Sequence, residues 1–293
     1  MPAVEVAHIL DLSPELPEKI REVANRQGED PDKVCAYLQE FRDLIYEKGN
    51  CTPNRTDDEY LLKFLRARFF RVDNAYKLLC RYYNFRDQHP ELHANVRPMS
   101  LRPIGEDDIV SVAPYRDQHG RRLMFYKIGN WKPSKIPLDD LFRATLIILE
   151  IGSMEPQTQV VGGVGIFDLE GLTLNHCWHM SPSVAQKMIS LMVTCMPLRT
   201  TSIHIINQSW AFDAVFQVFK PFLNERMKEK IFIHGSDMSS LHKHISPVHL
   251  PERYGGKMAE YNYNTWLDSL KPNEKVLKEL LQLGYNIPPE DLV

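Results

Sequence analysis

Residues 160–170 read VVGGVGIFDLE and residues 200–207 read TTSIHIIN, and these two apolar runs decide the fold. Both are rich in β-branched side chains and have the length of strands that are buried on both faces. Residues 181–196, which lie between them, have helical spacing, and so do residues 209–223, before a further strand pattern at 230–235. Strands that alternate with helices indicate βαβ units, so we predict an α/β fold with a mainly parallel sheet.

The distribution of these patterns divides the chain into three regions. Residues 1–95 read as successive amphipathic helices that are separated by turn-rich stretches. Strand and helix patterns then alternate along most of the remaining chain. We therefore predict an all-helical N-terminal domain at 1–95, an α/β domain at 96–256, and a C-terminal extension at 257–293 that packs on the outside.

The composition is typical of a globular protein, since 43% of the 293 residues are hydrophobic and 25% are charged. The chain has 35 Lys and Arg residues against 38 Asp and Glu residues, which gives a net charge of −3. We therefore expect no nucleic-acid partner, because no general basic field is available. No apolar run approaches the ~18 residues of a membrane-spanning helix. Five cysteines form no CxxC pair, which favours a reducing, cytoplasmic compartment.

Patterns that would indicate catalysis are missing from the sequence. It contains no GxxxxGK[ST], GxSxG or HExxH motif. Histidines cluster at 176–179 and at 242–249, but neither group has the further ligands of a metal site. Asp168 and Glu170 follow a predicted strand, where hydrogen bonding at the strand exit explains them without acid–base chemistry. We therefore predict binding without catalysis, metal or cofactor, and we rank an enzyme acting on a lipid last.

Residues 210–223, WAFDAVFQVFKPFL, are apolar around most of the helical circumference. Such a helix is either buried on several sides or in contact with lipid, and the residues alone leave both interpretations open. It is too short to cross a bilayer. Three bases, Arg199, Arg226 and Lys230, lie near it in the sequence, and a small basic set beside an apolar helix is typical of a membrane-surface contact.

A methionine stripe follows the helix predicted at 181–196, where Met188, Met192 and Met196 recur every four residues. Methionines at this spacing are most often ordinary core residues. They also line adaptable apolar pockets, because the unbranched thioether side chain adjusts its shape. Since no catalytic pattern accompanies the stripe, a pocket here would hold a molecule rather than transform it.

Six segments between residues 57 and 256 together resemble the CRAL-TRIO lipid-binding family, closest to the branch of α-tocopherol transfer protein and cellular retinaldehyde-binding protein. They occur in the family's order, which makes the resemblance specific. The segments are DDEYLLKFLRARFFRVDNAYKLL, GVGIFDLEGLTLNH, SPSVAQKMISLM, PLRTTSIHIIN, FKPFLNERMKEKIFIHG and LPERYGG.

The resemblance implies a CRAL-TRIO α/β domain whose sheet encloses a hydrophobic cavity, gated by a mobile helix at about residues 207–223. The implied ligand is one tocopherol-like isoprenoid or retinoid, which a cytoplasmic, monomeric carrier exchanges with membranes during transient association. The alternative is a phosphoinositide-binding interaction module that moves no lipid. The implied lining residues are Phe142, Thr145, Leu146, Leu149, Phe167, Leu172, Met180, Met188, Leu191, Met192, Leu198, Ile203, Val215, Phe219 and Leu223.

The same resemblance implies two surfaces that act at the membrane. A phosphoinositide-binding cluster would contain Arg199, Arg226 and Lys230, while its fourth position, an arginine in that branch, is Thr201 here. The gate would dock on the bilayer, so we expect phosphoinositide-containing membranes as partners. The implied docking residues are Trp210, Phe212, Phe216 and Phe222.

Overall fold

The structure is a computed structural model that describes residues 9–291 of the chain. One sheet has the strands β1 Val110–Arg116, β2 Arg122–Lys127, β3 Gly163–Asp168, β4 Thr200–Ile206 and β5 Ile231–Ile233. The helices before β1 are α1 Glu18–Arg26, α2 Val34–Lys48, α3 Asp58–Ala67, α4 Val72–Gln88 and α5 Arg102–Glu106. The later helices are α6 Leu138–Gly152, α7 Pro156–Val161, α8 Leu174–Trp178, α9 Pro182–Ile189, α10 Trp210–Phe219, α11 Glu225–Lys228, α12 Met238–His242, α13 Tyr263–Asp268 and α14 Glu274–Gln282.

The strands lie in the sheet in their sequence order, β1 to β5. The first two pair antiparallel as a hairpin, and every later pair is parallel. Parallel neighbours need long crossover connections, and helices α6 to α11 supply them. The predicted α/β fold with a mainly parallel sheet, preceded by a helical region, is confirmed.

The two faces of the sheet have different cover, because successive side chains of a strand point to opposite sides. On β3, Val164 and Ile166 face a small core that residues 241–254 complete. Phe167 faces the other side, where the main core and a cavity lie. Side chains reach the cavity from this second face, through Phe167 on β3, Ile203 and Ile205 on β4 and Ile231 on β5.

The main core is continuous from the N-terminal helices to the C-terminal region. Phe41, Leu61 and Phe64 from the first helices are fully buried in the same cluster as α6. Beyond residue 256, helices α13 and α14 also bury side chains there. Residues 257–291 thus contribute to the core and are more than the external layer that the sequence analysis predicts. Their buried side chains are Tyr263, Trp266, Leu267, Leu270, Val276, Leu280, Leu283 and Tyr285.

A buried polar network joins the N-terminal helices to the α/β region. The Glu150 carboxylate on α6 accepts hydrogen bonds from the Tyr82 hydroxyl at 2.8 Å and from the Arg86 guanidinium at 2.7 Å, both on α4. Burial raises the pKa of Glu150, although Arg86 opposes this shift. Leaving either charge without its partner here would be costly, so this contact fixes α4 on α6.

Candidate functional site

A cavity of about 160 Å³ lies between the sheet and helix α10. A single water needs only about 10–15 Å³ by the same measure, so the space admits a larger guest. Apart from His176, Thr200 and Lys230, its wall is apolar. The lining residues are Ile128, Phe167, Leu169, Leu172, His176, Met180, Met188, Ile189, Met192, Val193, Thr200, Ile203, Ile205, Phe212, Val215, Phe216, Phe219, Leu223, Met227, Lys230 and Ile231.

The floor of the cavity comes from strands β3 to β5. Ile203 and Ile205 lie two residues apart on β4 and therefore point to the same side. Between them, His204 points away and is fully buried on the opposite face. At Gly165 on β3, a Cβ atom would lie 3.4 Å from the Phe167 ring and 3.8 Å from the Met192 methyl group. A larger residue at this glycine would therefore push into the cavity wall.

The methionine-striped helix forms one side of the cavity. Helix α9 begins after Ser181, whose hydroxyl accepts a hydrogen bond from the Val184 amide, as is usual for a serine N-cap. It continues as a π-helical turn, Ser190–Cys195. Such turns rotate the following side chains out of α-helical register and are frequent at functional sites. Met188 before the turn and Met192 within it both reach the cavity.

Helix α10 covers the cavity as a lid. Phe212 and Phe216 stack on each other with ring centroids 5.3 Å apart, and both line the cavity together with Phe219. Trp210 lies at the start of the helix with 72% of its surface exposed. The nearly all-round apolar pattern of this helix is therefore explained by two surroundings, the cavity on one side and the outside on the other. Of the four residues predicted to dock on a bilayer, Phe212 and Phe216 instead face inward, and Phe222 is half-buried.

A smaller chamber of about 40 Å³ adjoins the cavity and shares Phe167 and three methionines with its wall. The Phe167 ring stacks on Tyr126 at 4.7 Å between the two spaces. Burial raises the pKa of Tyr126 to about 12, and its hydroxyl lacks a hydrogen-bond partner of normal geometry although Thr145 lies nearby. The chamber thus has a buried hydroxyl beside Thr145 in an otherwise apolar space, where a polar group of a guest would be stabilised.

Another space, of about 330 Å³, is larger but polar. It lies between α3, α14 and the α6–α7 connection. Its charged side chains mostly pair with one another: Lys63 lies 3.4 Å from Glu279, and Arg55 contacts both Glu279 and Asp57. Because these charges satisfy each other, we regard the apolar cavity as the candidate site.

Four basic side chains come together where the N-terminal helices meet the start of β4. Arg199 and Lys230 directly precede β4 and β5, while Arg68 and Arg81 come from the α3–α4 region. Burial, Arg81 and Arg199 lower the pKa of Arg68 to about 10, and burial, Arg199 and Arg68 lower the pKa of Lys230. Within residues 9–291, no carboxylate offsets the charge of Arg68, Arg199 or Lys230. Neighbouring cations without a compensating carboxylate favour a bound anion.

Arg199 is held at the centre of this cation cluster. Its Nη2 donates to Oε1 of Gln27 at 3.0 Å and to the Val160 carbonyl, while its buried Nε has no partner. Its guanidinium lies 4.5 Å from the ring of Phe69. Phe69 and Phe70 both adopt left-handed backbone conformations, with φ of 54° and 55°. Strain of this kind in non-glycine residues is concentrated at functional sites, and here it positions an aromatic ring against the cation.

Exposed apolar side chains lie on the outer side of the lid and on the neighbouring helix α8. Trp178 is 85% exposed and Leu174 is 51% exposed on α8, and Trp210 is exposed on α10. The Cys177 Sγ atom approaches the Ala211 carbonyl oxygen at 3.8 Å, which ties α8 to the lid. We call Leu174, Trp178 and Trp210 the outer apolar patch. Large apolar side chains that are exposed side by side are typical of surfaces that contact a partner.

Comparison with known proteins matches two family models to this chain. The model described as "CRAL/TRIO domain" matches residues 106–256, and "CRAL/TRIO, N-terminal domain" matches residues 29–81. The chain belongs to the CRAL-TRIO family. The predicted family resemblance is thereby confirmed, and the family is one of lipid-binding transfer proteins that take hydrophobic small molecules.

Curated CRAL-TRIO relatives cover nearly the whole chain. "Alpha-tocopherol transfer protein-like" of Mus musculus is 32% identical over 98% of this chain and 85% of its own length. "Clavesin-2" of Homo sapiens is 33% identical over 90% of this chain and 80% of its own length. The solved structure "Crystal structure of Sfh5" aligns with 92% of this chain and 98% of its own, at 14% identity and a TM-score of 0.47.

The structure brings together many, but not all, of the implied site residues of this CRAL-TRIO protein. Phe142, Thr145 and Leu191 line the smaller chamber. Leu146 and Leu149 are buried in the main core and do not line the cavity. Leu149 lies two turns further along α6 than Phe142. Leu198 lines a small separate space near Trp266. The implied residues that do line the cavity are Phe167, Leu172, Met180, Met188, Met192, Ile203, Val215, Phe219 and Leu223.

The structure also brings together only part of the predicted phosphoinositide-binding set. Arg199 and Lys230 lie in the cation cluster, Arg226 is exposed on α11, and Thr201 donates a hydrogen bond to the Gly163 carbonyl at 2.9 Å. Sequence reasoning missed Arg68 and Arg81, which belong to the N-terminal helices and lie more than 100 residues earlier in the chain. It also missed Leu169 and Ile205, although the two-residue strand period from Phe167 and Ile203 would have found both.

Two further properties bear on the site. No helix within residues 9–291 combines the length and apolar character that crossing a bilayer requires. Over the same residues, no group of three or more His, Cys, Asp or Glu side chains is arranged to hold a metal ion.

Proposed function

We propose that this protein carries one hydrophobic lipid in its lidded cavity and exchanges it with membranes, leaving the lipid chemically unchanged. The cavity under α10 is the observation that carries the proposal. A lipid that leaves a bilayer for this space exchanges one apolar environment for another. The hydrophobic free energy, about 0.8 kcal/mol per methylene, therefore nearly cancels, and selection rests on shape and polar contacts.

The ligand class that fits best is a tocopherol-like isoprenoid or a retinoid. Such molecules have an apolar body and one hydrogen-bonding group. The Tyr126 hydroxyl and Thr145 in the smaller chamber supply the matching polar position, and Phe167 and Met192 are shared between chamber and cavity. Methionines adapt to different shapes, so we expect several related lipids to bind.

The cation cluster would bind the phosphate groups of a phosphoinositide. Arg68, Arg81, Arg199 and Lys230 supply the positive charge, and exposed Arg226 adds to it nearby. Lys230 also lines the cavity, so an anionic headgroup on the cluster would lie next to the lid opening. This arrangement supports phosphoinositide guidance of lipid exchange even though Thr201 contributes no charge.

The outer apolar patch would dock the protein on a bilayer. Trp210 is an exposed aromatic side chain of the lid, and Trp178 is one on the adjoining helix α8. Tryptophan favours the membrane–water interface. We therefore propose a cytoplasmic monomer that touches membranes transiently, with the lid opening toward the bilayer.

The first experiment identifies the bound lipid. Protein purified from cells is extracted with organic solvent, and the extract is analysed by mass spectrometry. A neutral isoprenoid or retinoid at a near-equimolar amount supports the carrier. Phosphoinositide without a neutral lipid would instead favour an interaction module that moves no lipid, and a chemically altered lipid would indicate an enzyme.

The second experiment measures transfer of a fluorescent tocopherol between vesicles, with and without phosphatidylinositol bisphosphate in the acceptor. We expect Trp178→Ser to slow transfer about tenfold, whereas Tyr46→Ser, at a 91% exposed tyrosine on α2, leaves it unchanged. Arg199→Gln should abolish the stimulation by phosphoinositide, and Lys77→Gln, on the exposed side of α4, should retain it. Equal transfer by all variants would contradict the proposal.

A further inference from the structure

The Asp168 carboxylate, buried at the end of β3, is hydrogen-bonded to Asn207, the first residue of the lid segment that leads into α10. Asp168 is 3% exposed, and its Oδ1 accepts hydrogen bonds from Nδ2 of Asn207 at 2.9 Å and from the Glu170 amide at 3.0 Å. Its Oδ2 accepts one from the Tyr254 hydroxyl at 3.1 Å. Three donors therefore satisfy this carboxylate without a cation among its hydrogen-bond partners.

Asn207 is held in an unfavourable backbone conformation by its surroundings. Its φ of 53° is left-handed, which asparagine tolerates better than most residues but which still stores strain. The backbone N–H of Asn207 donates to the Gly235 carbonyl at 2.7 Å, and the backbone N–H of Gly235 donates to Oε1 of Gln208 at 2.9 Å. The first residues of the lid segment are thus bound to the ends of both β3 and β5.

The rest of the lid has few polar ties to the body. Within the described chain, the hydrogen bonds that link residues 210–223 to other elements reduce to the long contact between Cys177 and the Ala211 carbonyl. The remaining contacts are apolar and line the cavity. A helix held by apolar contacts along its length and by hydrogen bonds at one end can swing about that end.

We propose that Asp168 and Asn207 form a latch that keeps the lid closed, and that both are positioning residues for lipid exchange. This inference rests on the proposed carrier function for its biological meaning. Opening breaks the hydrogen bond between the Asp168 carboxylate and the side-chain amide of Asn207 and releases the left-handed conformation, while the hydrogen bonds of Gly235 to the Asn207 backbone N–H and to Gln208 hold the pivot of the lid. Tyr254 and Glu170 continue to satisfy Asp168, so the sheet stays intact while the lid moves.

Asn207→Asp is the sharpest test, because it replaces the donor by a second carboxylate of the same shape. At pH 7.5 two charges would lie about 3 Å apart, so we expect release of a fluorescent tocopherol to vesicles to rise about tenfold. Toward pH 5 the two carboxylates would share a proton and re-form the bond, so the excess release should shrink. This pH profile would not follow from a merely structural role.

Matched variants isolate the latch. Asn224→Asp makes the same change beyond the other end of the lid, where the Asn224 side chain caps α11, and should release lipid at the wild-type rate. Asn207→Gly tolerates the positive φ but removes the side-chain donor. We expect it to release lipid about threefold faster at every pH, with a melting temperature close to that of the wild type.

The rate of hydrogen exchange of the backbone amides at residues 208–213 measures how often the latch opens, and it needs no lipid. Faster exchange in Asn207→Asp than in Asn224→Asp at pH 7.5 supports it. Equal exchange and equal release in these two variants would overturn it. If the wild type transfers no lipid but the exchange difference persists, the carrier proposal fails while the latch stands.

Discussion

The N-terminal helices and the lidded cavity use similar apolar side chains in opposite ways. In the helices, Phe41, Leu61 and Phe64 are fully buried and packed against one another. Around the cavity, Phe216 and Phe219 are only half-buried, because they line the cavity wall. The helical region also has a buried polar network through Glu150. Residues 210–223 of the lid, in contrast, are held mainly by apolar contacts. One region is therefore built for stability and the other for access.

Truncating one phenylalanine in each region should show the largest difference. We expect Phe64→Ala to lower the free energy of unfolding by about 3–5 kcal/mol, because it opens a void in a close-packed core. Phe219→Ala should cost less than about 1.5 kcal/mol, since its side chain already borders a space. Urea denaturation measures both, and equal losses would remove the contrast between the two regions.

A covalent cross-link in the helical region should stabilise it without affecting the cavity. The Sγ atoms of Cys51 and Cys80 lie 3.2 Å apart, and the residues are 29 positions apart in the chain. Burial and the Cys80 thiol raise the pKa of Cys51 to about 12, so the Cys51 thiol is protonated and oxidation needs an added oxidant. We expect diamide to form a disulfide that adds roughly 2–4 kcal/mol of stability.

Non-reducing peptide mapping and thermal melting check this cross-link. Cys80→Ser, treated in the same way, should melt at one temperature with or without diamide. Lipid transfer should stay the same in the oxidised wild type. Altered transfer would mean that the helical region and the lid move together, against the comparison drawn above.

The smallest predicted effect is a loss of stability in acid, caused by His204 on the face of the sheet that is turned away from the cavity. Nδ1 of His204 and Nε2 of His234 share a hydrogen bond at 2.9 Å, and burial, His234, His244 and Arg121 lower the pKa of His204 to about 3. The unfolded chain therefore binds more protons than the folded protein once the pH falls below about 6.5. The stability contributed by neutral His204 is full above that pH and declines below it, by about 1 kcal/mol at pH 5.5.

Melting temperatures at pH 7.5 and 5.5 test this dependence. His204→Asn removes the titrating group, so its melting temperature should fall less with acid than that of the wild type. His119→Asn, at an exposed position, serves as the control and should follow the wild type. An undiminished acid sensitivity in His204→Asn would show that this histidine does not titrate on unfolding.

Local patterns in the sequence predicted much of the fold. The helical spacing at 181–196, the strand pattern at 200–207 and the apolar helix pattern at 210–223 are all local. The structure has the helix Pro182–Ile189, the strand Thr200–Ile206 and the helix Trp210–Phe219 at these places. The prediction that the C-terminal region packs outside was less accurate, because α13 contacts α5 and β1, which lie far earlier in the chain. No local pattern records contacts of that range.

The amino-acid sequence by itself determined the order of helices and strands, the apolar character of the lid and the family, because periodicity and motif order are properties of neighbouring residues. Tertiary structure alone decided which face of α10 covers the cavity, why Leu146 lies in the core, and how Arg68 comes to lie beside Arg199. These depend on side-chain direction and on left-handed turns such as that at Phe69, which are fixed only when distant elements pack together.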